Sequence, residues 1–537
     1  MTSSPTPGAQ ITDPDVIVVG SGAGGAVVAK ELAEAGLSVV VLEVGRRFPP
    51  HEFPTDRADF EAKTLGFFAP ADPRRDLYSA SNSFRYNRVK GVGGTTLHYQ
   101  GVSPRLHESD FMTRTQDGVG NDWPIRYADL EPFYSQVEFG LGVAGPSGAD
   151  ANPFDPPRSQ PYPTPPHPFD PLNMMFARGA SRLGLHLFSS PTAVPTVPWL
   201  GRPRCNEAGT CNRGCRLGAK SSMDVTYIAR AEATGRVEVR TDCMAREITL
   251  RPDGRARGVV YLDRDGAEHQ VVGRAVVVAG NAVETPRLLL MSTSGRFRNG
   301  LANSSGLVGK YFTEHLSVFA SGIFEERVDP WRGIPTKGLM QDFYETNSAN
   351  SFARGWSVET SSGNNWPVTT ALRVGGWGSS HKKRMHEVFG HTGGVWAVGE
   401  QLPDIRNEVT LDRFRKDSYG LPIPQIVSEP RENDRAMIAK MPGVLSMILE
   451  ASGARDIHVA PFVPGGSSHY LGTCRMGADP DTSVVDAWCR SHDVPNLFIG
   501  DGSVLVTGGG VNPALTISAL AARTAHGMIA AFKAGDL

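Results

Sequence analysis

Cysteine is scarce, six in 537 residues, far below the density of a disulfide-stapled scaffold. No run of about 18 apolar residues occurs, so no membrane span is expected. Residues 1–14 are polar and proline-rich. They lack the basic start and apolar stretch of a secretory signal, so a cytoplasmic protein is expected. Neither sign of charge is in excess: 54 Lys and Arg stand against 56 Asp and Glu, for a net charge of −2. The basic residues are scattered, which argues against a nucleic-acid or membrane-surface partner. No H-E-x-x-H or similar spacing is present, so no mononuclear metal site is expected. His107, His167, His186, His315, His381, His386, His391 and His492 fall singly along the chain. There is no internal repeat.

What is plentiful is glycine, 60 residues, and proline, 40 residues, the residues of turns and irregular connections. The length exceeds one simple core, so two structural domains are expected. Hydrophobic residues at 40% and charged residues at 20% fit a globular chain. Residues 15–19 (DVIVV) predict a buried strand. Gly20-Ser-Gly22-Ala-Gly24-Gly25 follows, then a helix over 26–35 and a second buried strand over 37–42 that ends in Glu43. This is a βαβ unit carrying G-x-G-x-x-G. Gly20 permits the tight turn, Gly22 lets a pyrophosphate approach the backbone, and Gly25 lets helix and strand pack closely. The helix N-terminus offers free N–H groups to phosphates. Glu43 is placed to accept from both ribose hydroxyls of an adenosine. The motif alone does not separate NAD from FAD.

The rest of the chain is not a run of βα repeats. Residues 46–90 are polar and irregular, and Gly91-Val-Gly93-Gly94-Thr95-Thr96 is a second glycine-rich loop. Residues 122–134 read as a turn entering a helix capped by Asp129. Residues 145–171, rich in proline, read as an extended excursion. A strand pair is expected over 237–250 and 256–262, joined by a turn at 251–255. Further strands are expected over 271–280 and 497–499, and helices at 288–291 and 513–531. Residues 320–460, rich in Trp, Gly and Thr, read as a separate sheet.

The C-terminal stretch holds the most specific pattern. It comprises Ser468-His469-Tyr-Leu-Gly472-Thr473-Cys474-Arg-Met476-Gly477, then Val484-Val485-Asp486. Asn496-Leu-Phe-Ile-Gly500-Asp501-Gly502-Ser503 and Gly510-Val-Asn512-Pro513-Ala-Leu-Thr516 follow. With DVIVVGSGAGG, Gly93-Gly94-Thr95-Thr96 and Gly280-Asn-Ala-Val-Glu-Thr-Pro286, these resemble the glucose–methanol–choline (GMC) oxidoreductase family over about residues 13–531.

The resemblance implies an α/β fold: a discontinuous FAD-binding Rossmann-like domain and a substrate domain built on an antiparallel β-sheet. The FAD-binding domain is expected over 13–50, 80–110, 200–320 and 465–537. The substrate domain is expected over 51–79, 111–199 and 321–464. The resemblance implies oxidation of a CH–OH group, with His469 and Asn512 as the catalytic pair. FAD is expected at Gly20, Gly22, Gly24, Gly25 and Glu43, around Gly93, Gly94, Thr95 and His98, and at Asp501, Gly502, Asn512 and Pro513. Chemistry agrees: hydride leaves carbon only if the hydroxyl proton leaves too, and a histidine near neutrality suits that proton. Asn512 would orient the hydroxyl or stabilise a developing alkoxide.

His98 lies in a glycine–glycine–x–x–x–His–aromatic pattern similar to that of pyranose oxidases and sugar dehydrogenases. It reads either as a covalent link to FAD or as a histidine packed beside the flavin. Cys205-x5-Cys211-x3-Cys215 is similar to the cysteine run of a three-iron cluster in sugar dehydrogenase subunits, but Arg216 stands where those proteins tend to have proline. It reads either as an iron–sulfur site or as free thiols in a loop. Cys243, Cys474 and Cys489 read as packing residues. The His–Asn pair and the His98 pattern lean toward a sugar or glycoside hydroxyl. A bulkier alcohol is the alternative, as is a subunit that passes electrons to a redox partner in place of oxygen.

Overall fold

In the computed structural model, which describes residues 11–55, 77–362 and 367–537, Val16–Val19 is buried at every position. It forms the middle strand of a five-stranded parallel sheet. The order is Leu497–Ile499, Ala275–Val278, Val16–Val19, Val39–Leu42, Val237–Arg240. Side chains buried on both faces are what a parallel sheet requires, and four of these strands are unbroken runs of Val, Ile, Leu, Ala and Phe, while the edge strand Val237–Arg240 carries Glu238 and Arg240 and is half-buried. The helix Gly25–Glu34 crosses between the first two strands in the chain. The helix Ala514–Ala534 packs against it and against Tyr127–Leu141. Among the described residues Ala514–Ala534 is the helix long and apolar enough to cross a membrane, and most of it is buried inside the protein.

Several sequence expectations shift here. The stretch over 237–250 breaks at Thr241. Val237–Arg240 joins the parallel sheet, while Met244–Leu250 pairs antiparallel with Ala256–Leu262. The run over 271–280 divides likewise into the end of Glu268–Val272 and the parallel strand Ala275–Val278. Asp129 is not the cap of its helix. It sits in the first turn of Tyr127–Leu141, and its carboxylate accepts the backbone N–H of Arg126 at 2.8 Å. Most of the segment 51–79 lies outside the described residues.

The second sheet has six strands in the order Arg455–Val459, His315–Ile323, Thr392–Glu400, Trp356–Ser361, Gly338–Met340, Phe188–Ser189. All its pairings are antiparallel. A domain boundary at residue 320 would cut His315–Ile323, which belongs whole to this sheet because its pairing with Thr392–Glu400 is unbroken from His315 to Ile323. Leu316, Val318, Ala320, Val358, Val395 and Ala397 point to one face. There they pack on the helices Pro171–Arg182 and Glu432–Ala451. The helices Pro367–Val374, Gly378–Val388 and Glu432–Ala451 were not foreseen within 320–460. The opposite face is the one this protein uses.

A buried ion cluster ties that face to the parallel sheet's loops. Arg354, 1% exposed, donates Nε to Glu400 at 2.7 Å and Nη1 to Asp117 at 3.0 Å, and it also pairs with Asp110. Asp110 in turn accepts from the Tyr344 hydroxyl at 2.6 Å, and its carbonyl accepts from Thr507 at 3.0 Å. Removing the one cation would strand buried carboxylates. Arg354→Met is therefore expected to cost about 3–5 kcal/mol in denaturant unfolding. A loss under about 1 kcal/mol would show that the cluster does not hold this junction.

Candidate active site

The first glycine turn is built for contact. A Cβ at Gly24 would lie 1.6 Å from the Gly500 carbonyl oxygen, and one at Gly25 would lie 2.0 Å from that of Gly20. At Gly22 a Cβ would meet nothing within 4 Å, so backbone is presented to open space. The second glycine loop stands directly on this turn: Gly93 N–H donates to Ser21 Oγ at 3.1 Å, and a Cβ at Gly94 would lie 2.9 Å from Gly22 Cα. The helix Gly25–Glu34 has neither a side-chain cap nor an acid in its first turn. No side chain or acid therefore competes with a phosphate at this helix N-terminus. These residues fit a dinucleotide.

Glu43 plays a fuller role than its sequence position shows. Its carboxylate accepts from Ser21 N–H at 3.2 Å, Ser21 Oγ at 2.7 Å and Gly45 N–H at 2.9 Å. Three of about four acceptor positions are filled, leaving one hydrogen bond, not two, for a ribose. Asp501, at the end of the strand Leu497–Ile499, lies beside Gly24. It accepts from Asn281 N–H at 3.0 Å, from the Thr285 hydroxyl, and from Ser503 N–H at 2.8 Å. Gly502 admits no side chain, because a Cβ there would press on Leu471 and the Tyr470 carbonyl. Pro513 leads the helix Ala514–Ala534, whose first turn has no acid. Thr95 is exposed on the second glycine loop.

His469 sits on a segment clamped from two sides. Gly472, Cys474 and Met476 N–H groups donate to the carbonyls of Gly502, Ser503 and Val504 at 3.1, 2.8 and 2.9 Å. Leu471 and Thr313 exchange backbone hydrogen bonds of 2.9 and 3.1 Å in an antiparallel bridge. Two residues beyond that bridge on either chain stand His315 and His469, cross-strand neighbours by the pleat. Ser468 before His469 holds φ at 58°, a left-handed conformation costly for a residue with a Cβ and found where a side chain is being aimed.

The two imidazoles meet at 2.9 Å, Nδ1 to Nδ1. His315 Nε2 lies 2.8 Å from the Gly509 carbonyl and 3.3 Å from that of Gly508. Carbonyls only accept, so His315 Nε2 carries the ring proton and its Nδ1 holds the lone pair. His469 Nδ1 must then donate, which leaves Nε2 of His469 as the free acceptor. Burial holds both rings below the usual histidine range, and the neighbouring His315 ring makes a proton on His469 costlier still. The pair is neutral, and His469 carries its base nitrogen where a proton can be taken. Sequence reading left His315 among the scattered histidines. No local motif marks it, and only the Thr313–Leu471 bridge brings it to His469.

Asn512 follows the same Gly508–Gly510 loop. Its side-chain amide lies close enough to Glu359, on the strand Trp356–Ser361, to lower that carboxyl against the effect of burial. Its Oδ1 is buried with no partner among the described residues. That unpartnered oxygen can accept from a substrate hydroxyl. His98 is partly buried, and burial, then the Arg213 and Lys220 charges, holds its imidazole down to about 3. Cys205, Cys211 and Cys215 are free thiols, and burial pushes Cys211 up to about 12. Among the described residues no group of three or more His, Cys, Asp or Glu is placed to hold a metal ion. Cys243, Cys474 and Cys489 are buried and unpaired.

A parallel dinucleotide sheet, a glycine cradle and a neutral histidine pair at the border of an antiparallel sheet define a dinucleotide-dependent oxidoreductase. Family comparison makes this specific: GMC oxidoreductase models match residues 15–317 and 403–521, and the chain belongs to that family. It is an FAD-binding enzyme. It is 37% identical to the 2-methyl-1,2-propanediol dehydrogenase of Mycolicibacterium austroafricanum, over 95% of this chain and 94% of that one. It is 31% identical to the paromamine 6'-oxidase of Streptomyces fradiae, over 97% and 92%. The pyridoxine 4-oxidase structure from Mesorbium loti shares the fold with a TM-score of 0.65 at 17% identity, covering 96% of this chain and 98% of that one.

Replacing the base tests the site. His469→Ala is expected to slow anaerobic flavin reduction about 10²–10⁴-fold with flavin content unchanged. His315→Leu should slow it in the same direction but less. An unchanged rate in His315→Leu would mean that the 2.9 Å contact does not set the His469 ring.

Proposed function

We propose that this enzyme oxidises a hydroxyl-bearing carbon of a sugar or glycoside to the keto or aldehyde product. The observation that carries the reading is the free Nε2 of a neutral His469, set by His315. FAD supplies the hydride acceptor. The protein's own residues do the rest. His469 takes the hydroxyl proton at Nε2, and its Nδ1–H stays on His315, which spreads the acquired charge toward the Gly508 and Gly509 carbonyls. Asn512 Oδ1 orients the substrate through a second donor. Gly20, Gly22, Gly24, Gly25, Glu43, Gly93, Gly94, Asp501 and Pro513 hold the cofactor. The relatives named for a diol and for paromamine support a hydroxyl-bearing substrate. One is named a dehydrogenase and the other an oxidase, so the electron acceptor is read from peroxide release in air.

The further assignment is a covalent link at His98, supported by an imidazole that keeps its lone pair. Acid precipitation tests it. Flavin colour in the pellet that moves to the supernatant in His98→Ala supports the link, and colour wholly in the supernatant of the wild-type protein refutes it. The sugar reading is tested by anaerobic bleaching of the flavin with a panel of sugars, simple diols and long-chain alcohols. Bleaching by sugars supports it, and bleaching by long-chain alcohols alone overturns it.

A further inference from the structure

The face of the antiparallel sheet that turns away from its helices mixes polar side chains with Val398, Phe319 and Leu339. In the register, His315 lies opposite Glu400, Ser317 opposite Val398, and Phe319 opposite Trp396. Ser357 lies opposite Val398 and Glu359 opposite Trp396 on the next strand. Opposed residues of an antiparallel pair share a face, and residues two apart along a strand share it too. His315, Ser317, Ser357, Glu359 and Trp396 therefore line one surface. His315 touches His469, and the Asn512 amide lies near enough to act on the Glu359 carboxyl, so this surface adjoins the catalytic pair. Ser357 N–H donates to the Gly510 carbonyl at 3.2 Å, which pins the surface to the loop that carries Asn512. Trp396 is half-buried, the exception among the buried residues of its strand.

Four buried polar atoms here have no partner among the described residues: Ser317 Oγ, Ser357 Oγ, Glu359 Oε1 and Asn512 Oδ1. One such atom is ordinary. Four on one side of a sheet at a catalytic pair point to a ligand that completes them. Glu359 sharpens the point. Among the described residues every other buried carboxylate holds a guanidinium or at least two N–H or O–H donors. Glu43, Glu314, Asp434 and Asp501 have the donors, and Asp110, Glu138 and Glu400 have arginine. Glu359, 4% exposed, has the Asn512 amide nearby and no ion pair among the described residues. Burial pushes its carboxyl up to about 7, with the Asn512 amide alone opposing. A carboxylate in that setting is costly unless a positive donor arrives to pair with it. The other three atoms can all accept, and the Trp396 ring face suits both a sugar ring and a cation.

We propose that Glu359, with Asn512 Oδ1 and the Ser317 and Ser357 hydroxyls, forms a subsite for a protonated amine, so that the sugar oxidised is an amino sugar. The inference rests on the sugar reading above and adds the charge. The experiment is anaerobic flavin reduction of the intact holoenzyme by free-amine sugars, glucosamine and paromamine among them. Each is compared with its N-acetylated form, and glucosamine also with glucose. Acetylation removes the charge and leaves the hydroxyls. The expected kcat/KM preference for the free amine is about tenfold or more, as for a charge-assisted hydrogen bond. It should collapse toward parity in Glu359→Gln, whose flavin content checks folding. Equal rates for free and acetylated amines in the wild-type protein, or a preference that survives Glu359→Gln, overturn the subsite. If neutral sugars alone reduce the flavin, the subsite fails and the sugar reading stands. If no sugar of either kind reduces it while a simple diol or long-chain alcohol does, the sugar reading fails and takes the subsite with it.

Discussion

Everything at the reactive centre depends on where one proton sits on His315. Two backbone carbonyls, those of Gly508 and Gly509, face its Nε2, and a carbonyl cannot donate. That constraint passes through His315 Nδ1 to His469 Nδ1 and leaves a lone pair on the far nitrogen of His469. No acid or base elsewhere has to set it. Burial then keeps the pair uncharged. The base is ready because its tautomer is held by main chain, which is harder to perturb than a side chain.

The main chain in turn is held by groups remote from the chemistry. Gly509 can lie where it does because it has no side chain: a Cβ there would press on Leu106 and the Tyr344 hydroxyl. Tyr344 is fixed by Asp110, and Asp110 by Arg354, which also holds Glu400 opposite His315 in the sheet. The same cluster thus supports both the carbonyls that orient His315 and the strand that carries it. Paired buried charges of this kind make a junction costly to rearrange, which suits a site where a proton and a hydride must leave neighbouring atoms together.

The two faces of the antiparallel sheet divide the work. One face buries Leu316, Val318, Val358 and Val395 against helices and gives the sheet its place. The other spends burial on Ser317, Ser357 and Glu359, which weaken the core and make sense only beside a ligand.

Much of the cofactor half could be read along the chain, because its chemistry is local. A phosphate-binding turn needs its glycines within six residues and its helix immediately after, and a parallel strand announces itself as an unbroken apolar run, as 497–499 does. His469, Asn512 and the family were legible for the same reason: their motifs are contiguous. His315 and Glu359 were not. Each is a single polar residue in a strand, and its meaning comes from neighbours about 150 residues away in sequence, His469 for one and Asn512 for the other. Where Val237–Arg240 leaves one sheet and Met244–Leu250 enters another was hidden likewise, since both stretches alternate well enough for either. Local pattern specifies elements and contiguous motifs. Which face of a strand looks at the cofactor, and which lone pair is left over there, is settled only when distant strands pair and the pleat assigns each side chain a side.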